Sequence, residues 1–216
     1  AALSAHSARG EHDALGAALA KALRTNAFWV IPSAIGLGVL AEPLCRLFFE
    51  RGAFTPADTA GTAAMLQMYA VAVYGICFHR VAVPVYYALG DPRTPMRLSI
   101  LAMLAKVPAI LVLTKLFGMG PAALPLSHAI TVTGESALLY WGFAERVRGR
   151  GVVGAHVKML VAGAVLAAVA LALRDRVPVV ATCVAAGGAY LLVGRALGVF
   201  EGLGRPKGLP PFLDTD

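Results

Sequence analysis

Ile76-Cys77-Phe78-His79-Arg80-Val81-Ala82-Val83-Pro84-Val85-Tyr86-Tyr87 lies in an apolar run that reaches from about 62 to 89. A helix that crosses a bilayer needs ~20 mostly apolar residues, and this run is long enough. Arg80 is its one formal charge. A cation deep in a membrane helix costs ~2.5–3.5 kcal/mol on insertion scales, so such a residue faces a wet cavity, pairs with an anion, or snorkels to the headgroups. Pro84 follows four residues on, so it cannot donate to the Arg80 carbonyl and leaves that oxygen beside the charge. His79 points about 100° away around the helix, and a neutral, locally hydrogen-bonded ring is expected for it.

The rest of the chain follows the same pattern. Its 216 residues are 58% hydrophobic and 14% charged, and mean hydropathy is +0.72. Soluble domains carry about 25% charge, and a water-soluble fold of this size has too little interior for so much apolar surface. The class is an all-α polytopic membrane bundle. Six runs are candidate transmembrane helices, about 27–48, 62–89, 96–117, 121–143, 153–173 and 177–199. Connections are short, which predicts antiparallel neighbours. Residues 11–25 read as a short amphipathic helix at the membrane surface, with Leu15, Leu19, Ala22 and Leu23 on one face. The division that follows is a cytoplasmic lead-in at 1–26, four helices at 27–145, two more at 146–200 and a Gly- and Pro-rich tail at 201–216. The chain begins at Ala1 without methionine or signal peptide, so it reads as a piece of something longer.

The net charge of +7 does not point to nucleic acid, because the basic residues sit between apolar runs and not along one face. Twelve Lys and Arg fall on one side (Arg9, Lys21, Arg24, Arg93, Arg97, Arg146, Arg148, Arg150, Lys158, Arg195, Arg205, Lys207) and five on the other (Arg46, Arg51, Lys115, Arg174, Arg176). The positive-inside rule puts both termini in the cytoplasm. Cys45, Cys77 and Cys183 have neither disulfide nor metal spacing and read as packing residues. Thr55-Pro56-Ala57-Asp58 is a helix start, with a capping Thr, Pro at the first position and an acid at the third. Thr94-Pro95 reads as a second start of the same kind.

Besides Arg80, the membrane runs hold Lys106 and Glu135, with His128 a weaker case. Counted from a hairpin turn near Met119, Lys106 and Glu135 lie within about one helical turn in depth, which predicts a buried pair. The last two runs carry small residues and almost no charge: Gly163, Ala167, Gly187 and Gly188 among them. Small residues allow close approach of a helix or a lipid chain. There is no HExxH, GxSxG, P-loop or paired carboxylate, and no metal or cofactor is expected.

Two stretches carry a resemblance. Leu47-Phe48-Phe49-Glu50-Arg51-Gly52-Ala53-Phe54-Thr55, with Asp58-Thr59 after it, resembles a signature of the MurJ (MviN) family of lipid II flippases. So does Val83-Pro84-Val85-Tyr86-Tyr87-Ala88-Leu89-Gly90-Asp91-Pro92-Arg93-Thr94-Pro95-Met96-Arg97. Leu3-Ser4 through Arg9-Gly10 and Pro32-Ser33-Ala34-Ile35-Gly36 fit as well. The resemblance covers about residues 1–145, with the order and spacing of the motifs right. It implies the C-terminal part of a transporter of the multidrug/oligosaccharidyl-lipid/polysaccharide (MOP, MATE-like) superfamily. The chain would supply the last four helices of the second lobe and two extra ones, in the bacterial inner membrane. The implied partners are lipid II or a similar polyprenyl-pyrophosphate substrate, membrane lipids, and the earlier helices of the same protein.

The resemblance further implies that Arg80, with Lys106 and Glu135, lines the substrate cavity. Arg51, Gly52, Phe54, Gly90, Asp91, Arg93, Thr94, Pro95 and Arg97 are its motif positions. The last two helices, with Gly163, Ala167, Gly187 and Gly188, would form a groove for the lipid tail. The family often has Asn where Lys106 and Glu135 stand, and the departure in opposite charge supports a compensating pair. The rivals are an exporter of another polyprenyl-linked sugar or a drug, a membrane enzyme using His128 and Glu135, and a six-helix homodimer.

Overall fold

The computed structural model describes the backbone of residues 2–200 and side chains from Leu15 onward. The described residues form seven helices: α1 (Ala2–Val39), α2 (Ala41–Phe49), α3 (Pro56–Ala88), α4 (Arg93–Lys115), α5 (Ala123–Val147), α6 (Val152–Leu173) and α7 (Val179–Ala196). The tail at 201–216 lies outside the described residues. Packing joins the helices in a row, α7 on α6, α6 on α1, α1 on α3, α3 on α5 and α5 on α4.

α1 belongs to two cores. Its first half, through Leu19, Ala20 and Leu23, packs with Phe78, Leu139 and Phe143. Its second half, through Ala27, Phe28 and Ile31, packs with Met159, Leu166 and Tyr190. The lead-in is therefore no separate helix: it runs unbroken within α1, and from Leu15 onward it buries one face, through Leu19, Ala20 and Leu23. Ala22 faces out, and Ala20 takes the inward place expected of it.

The expected first span is broken. α1 and α2 meet at Leu40 with a bend of 74°. Four helices (α3, α4, α6 and α7) are long and apolar enough to cross a membrane, or five spans if the bent pair counts as one. α5 is not among them, although its 25 residues are long enough. Ser127, His128, Thr131, Thr133, Glu135 and Ser136 dilute its apolar run. Met103, Leu104 and Val107 on α4 and Val184 and Leu192 on α7 are exposed. Apolar surface on this scale needs lipid or protein against it, so the chain is a multi-pass membrane protein.

The two motif stretches are turns. Arg51-Gly52 closes α2, with Gly52 at φ +60 and Arg51 donating to the Leu47 carbonyl at 3.0 Å. The Phe54 ring lies against Phe49, centroids 6.1 Å apart. Thr55 and Asp58 then form the expected capping box, with Pro56 in the first turn. Buried Thr59 donates to Glu50 at 2.8 Å and ties the end of α2 to the start of α3.

In the second turn Gly90 takes φ +74. The expected Thr94 cap is absent. α4 begins at Arg93, and Asp91 does the capping: its carboxylate accepts from the Thr94 amide at 3.1 Å and the Thr94 hydroxyl at 2.6 Å. Those bonds, with the Arg97 charge nearby, hold the Asp91 carboxyl below its ordinary range. Pro95 is buried in the first turn, and Arg93 and Arg97 are exposed.

Candidate functional site

α3 and α5 run parallel and touch closely because position 75 is glycine. A methyl group on Gly75 would lie 3.3 Å from the Val132 carbonyl. Ser136 donates to the Gly75 carbonyl at 2.9 Å across this contact. One turn further along α3, His79 comes level with Glu135. The carboxylate accepts, so His79 donates through Nε2 to Glu135 Oε1 at 3.0 Å. Ser99 of α4 donates to the same oxygen at 2.5 Å. Three helices thus meet at one carboxylate that is 9% exposed. A buried carboxylate without donors costs several kcal/mol, and two donors make this one tolerable.

Two expectations change here. His79 is not locally bonded; it is the cross-helix partner of Glu135. Lys106 does not pair with Glu135 among the described residues. Ser99 stands opposite Glu135, so Lys106, seven residues further down α4, is about two turns away, near 10 Å. The connection between α4 and α5 is centred near Met119 as expected, but the Ser99–Glu135 bond shows that equal counting from the turn does not give the register of α4 on α5. The His128 ring meets Tyr69 of α3, with centroids 6.2 Å apart. The His128–Glu135 pair needed by an enzyme is not assembled: Glu135 is bound by His79 and Ser99. Ser99 escaped the sequence reading. Its one signal is the half-buried stripe Ser99, Ala102, Lys106, spaced three and four along α4.

Arg80 follows His79 around α3 and is exposed. It shares a helix turn with the bridge without belonging to it. Glu135 is bound by His79 and Ser99, and Arg80 makes no ion pair with it among the described residues.

The second region lies between α1, α6 and α7. Gly163 is buried with Ile31 and Ile35 of α1 packed on it, a close-packing role. Gly187 lines an apolar groove of about 560 Å³ with Phe28, Pro32, Leu40 and Tyr190. Gly188 and Ala167 are half-buried, and nothing packs within 4 Å of where a Gly188 side chain would begin. Cys183 is exposed and lines the groove, whereas Cys45 is buried as expected. A further cleft of about 550 Å³ between α1, α3 and α6 has Tyr74 and His156 in its wall. His156 Nδ1 donates to the Val152 carbonyl at 2.7 Å, and in the neutral ring Nε2 accepts from the Tyr74 hydroxyl at 2.6 Å.

A sequence model of the family "Lipid II flippase MurJ" matches residues 1–186. The chain belongs to the MurJ family. The probable lipid II flippase MurJ of Bdellovibrio bacteriovorus is 37% identical over 94 residues, 44% of this chain and 18% of that protein. That of Vibrio cholerae is 33% identical over 122 residues, 56% of this chain and 22% of that one. The lipid II flippase MurJ of Thermosipho africanus is 31% identical over 127 residues, 58% and 26%. A solved MurJ in an inward closed conformation superposes with a TM-score of 0.72 at 21% identity, over 83% of this chain and 38% of that one. That likeness is one of fold. The chain spans well under half the length of these MurJ relatives.

Proposed function

We propose that this chain is the C-terminal part of a lipid II flippase, which carries lipid-linked peptidoglycan precursor across the bacterial inner membrane by alternating access. Its bent first span and five further helices make six crossings of a MOP-type, MATE-like transporter. Residues 27–145 belong to the second lobe and 146–200 form two added helices. Both termini face the cytoplasm. In support, Arg24 donates to the Arg150 carbonyl at 3.1 Å, so two of the basic segments assigned to that side meet.

The observation that carries the reading is the exposed Arg80 beside a satisfied carboxylate. A guanidinium past the middle of a membrane helix that is not neutralised by the nearest acid is free to bind a pyrophosphate entering from water. Glu135 is a scaffold acid that joins three helices, and Lys106 adds positive charge two turns away. The groove lined by Gly187 takes the lipid tail, with Ala167 and Gly188 beside it, while Gly163 sets how closely α6 lies on α1. The earlier helices of the same protein complete the cavity.

The test uses the full-length protein in cells depleted of their own flippase. Arg80→Ala is expected to abolish growth and outer-leaflet exposure of lipid II at unchanged protein level. Arg80→Lys should recover part of it, because a lysine retains the charge without the bidentate fork. Full activity in Arg80→Ala would remove Arg80 from the substrate path.

A further inference from the structure

α1 carries Pro32 in its interior. A helical residue 32 would ordinarily donate its amide to the carbonyl of residue 28, four positions back. Proline has no amide hydrogen, so the Phe28 carbonyl loses its backbone donor. The site is buried: Phe28 is 5% exposed. In water a solvent molecule would take the empty place; in an apolar interior an unsatisfied carbonyl is costly. Here a side chain from another helix takes it. Tyr190 of α7, 3% exposed, donates its hydroxyl to the Phe28 carbonyl at 2.9 Å.

We propose that Tyr190 is a positioning residue that replaces the amide Pro32 lacks, and so fixes α7 against the α1 wall of the groove. Three features agree. The two rings lie 5.7 Å apart, so the hydroxyl is aimed by packing as well as by its bond. The next carbonyl, Trp29, is served by the Ser33 hydroxyl at 2.7 Å, so both oxygens at the proline break have side-chain donors. Phe28, Pro32, Ser33 and Tyr190 all line the groove that contains Gly187. This bond therefore joins two walls of the groove. That last step rests on the tail-binding reading of the groove; the bond itself does not.

Tyr86 provides the contrast. Its hydroxyl donates to the Leu139 carbonyl at 2.9 Å. Four residues after Leu139 stands Phe143, which has an amide. Tyr86 thus adds a second bond to a carbonyl that has its backbone donor, whereas Tyr190 supplies the donor itself.

The experiment is a substitution cycle in the full-length protein in detergent. Tyr190→Phe keeps the ring and should lower Tm by roughly 2–6 °C. Pro32→Ala returns an amide to residue 32. In that background the Phe28 carbonyl is served again, and Tyr190→Phe should cost less than about a third as much. Should Tyr190→Phe fail to accumulate, Pro32→Ala must restore its level. An equal loss with and without Pro32, or no recovery of accumulation, overturns the proposal, because a tyrosine that only packs gains nothing from an amide at 32. Tyr86→Phe is expected to be indifferent to Pro32→Ala. The groove reading is tested separately, by cross-linking a photoreactive polyprenyl tail to Leu191. Rescue in the cycle without labelling there would reject the tail site and leave the bond's role standing.

Discussion

The two flanks of α1 solve the same problem differently. On the α3–α5 side, polar side chains bridge the helices: Ser136 to Gly75, His79 and Ser99 to Glu135, Tyr86 to Leu139. On the α6–α7 side the walls are apolar, and tyrosines at the edges supply the hydrogen bonds. Helices in lipid gain no hydrophobic drive from meeting each other, so close packing and buried hydrogen bonds decide association. The first flank can therefore hold a charge, Arg80, at a set place, because a bonded acid anchors the helix that carries it. The second can hold an uncharged groove, because nothing in its walls needs a counter-ion. In the reading proposed above, head group and lipid tail part along this division.

Three variants test that contrast. The largest effect is expected from Gly75→Leu. It forces α3 off α5, which should cost ~3 kcal/mol or more and stop the protein accumulating; near-normal levels would show that close approach is not what builds the bridge. Glu135→Ala comes next. It leaves His79 and Ser99 without their acceptor, with an expected loss of ~2–4 kcal/mol in a thermal melt. Lys106→Glu combined with Glu135→Lys should be at least as impaired as Glu135→Lys alone. Recovery in a complementation assay would restore the Lys106–Glu135 pair and break the account of the bridge.

The smallest effect lies outside both flanks. Asp91 has a carboxyl held below its ordinary range by the Thr94 bonds, then by the Arg97 charge. A depressed folded value stabilises above the unfolded carboxyl's pKa, near 3.9, and that contribution is lost as pH falls through the lower folded value. Asp91→Asn should thus flatten the acid limb of a stability–pH curve below about pH 4 and leave neutral stability almost unchanged. A wild-type acid limb in this variant would show that Asp91 does not cap α4.

Much of the architecture was legible in the residues. The Thr55–Asp58 capping box is a local feature and stands where expected, and the apolar runs form helices, four of them long and apolar enough to cross a membrane among the described residues. Leu40, the break in the first span, sits between Gly36-Leu37-Gly38 and Pro43 in an unbroken apolar run, and apolarity does not report direction. Thr94 resembles Thr55 as a cap, but Asp91 stands three residues earlier within reach of the Thr94 amide. The Lys106–Glu135 pair rests on counting along a hairpin, and counting does not fix how α4 is staggered on α5, where Ser99 is the residue that meets Glu135.

What the sequence determined by itself is what depends on near neighbours along the chain: membrane class, the Thr55–Asp58 cap, and the presence of three charges that lipid alone would not tolerate. Only the tertiary structure decided which of those charges meet. Helix stagger depends on how closely backbones approach, at Gly75 above all, and a few ångströms of stagger select His79 over Lys106 as the partner of Glu135. The same holds for Tyr190: Pro32 shows that a carbonyl is left without its amide, but only the packing of α7 on α1 says what serves it.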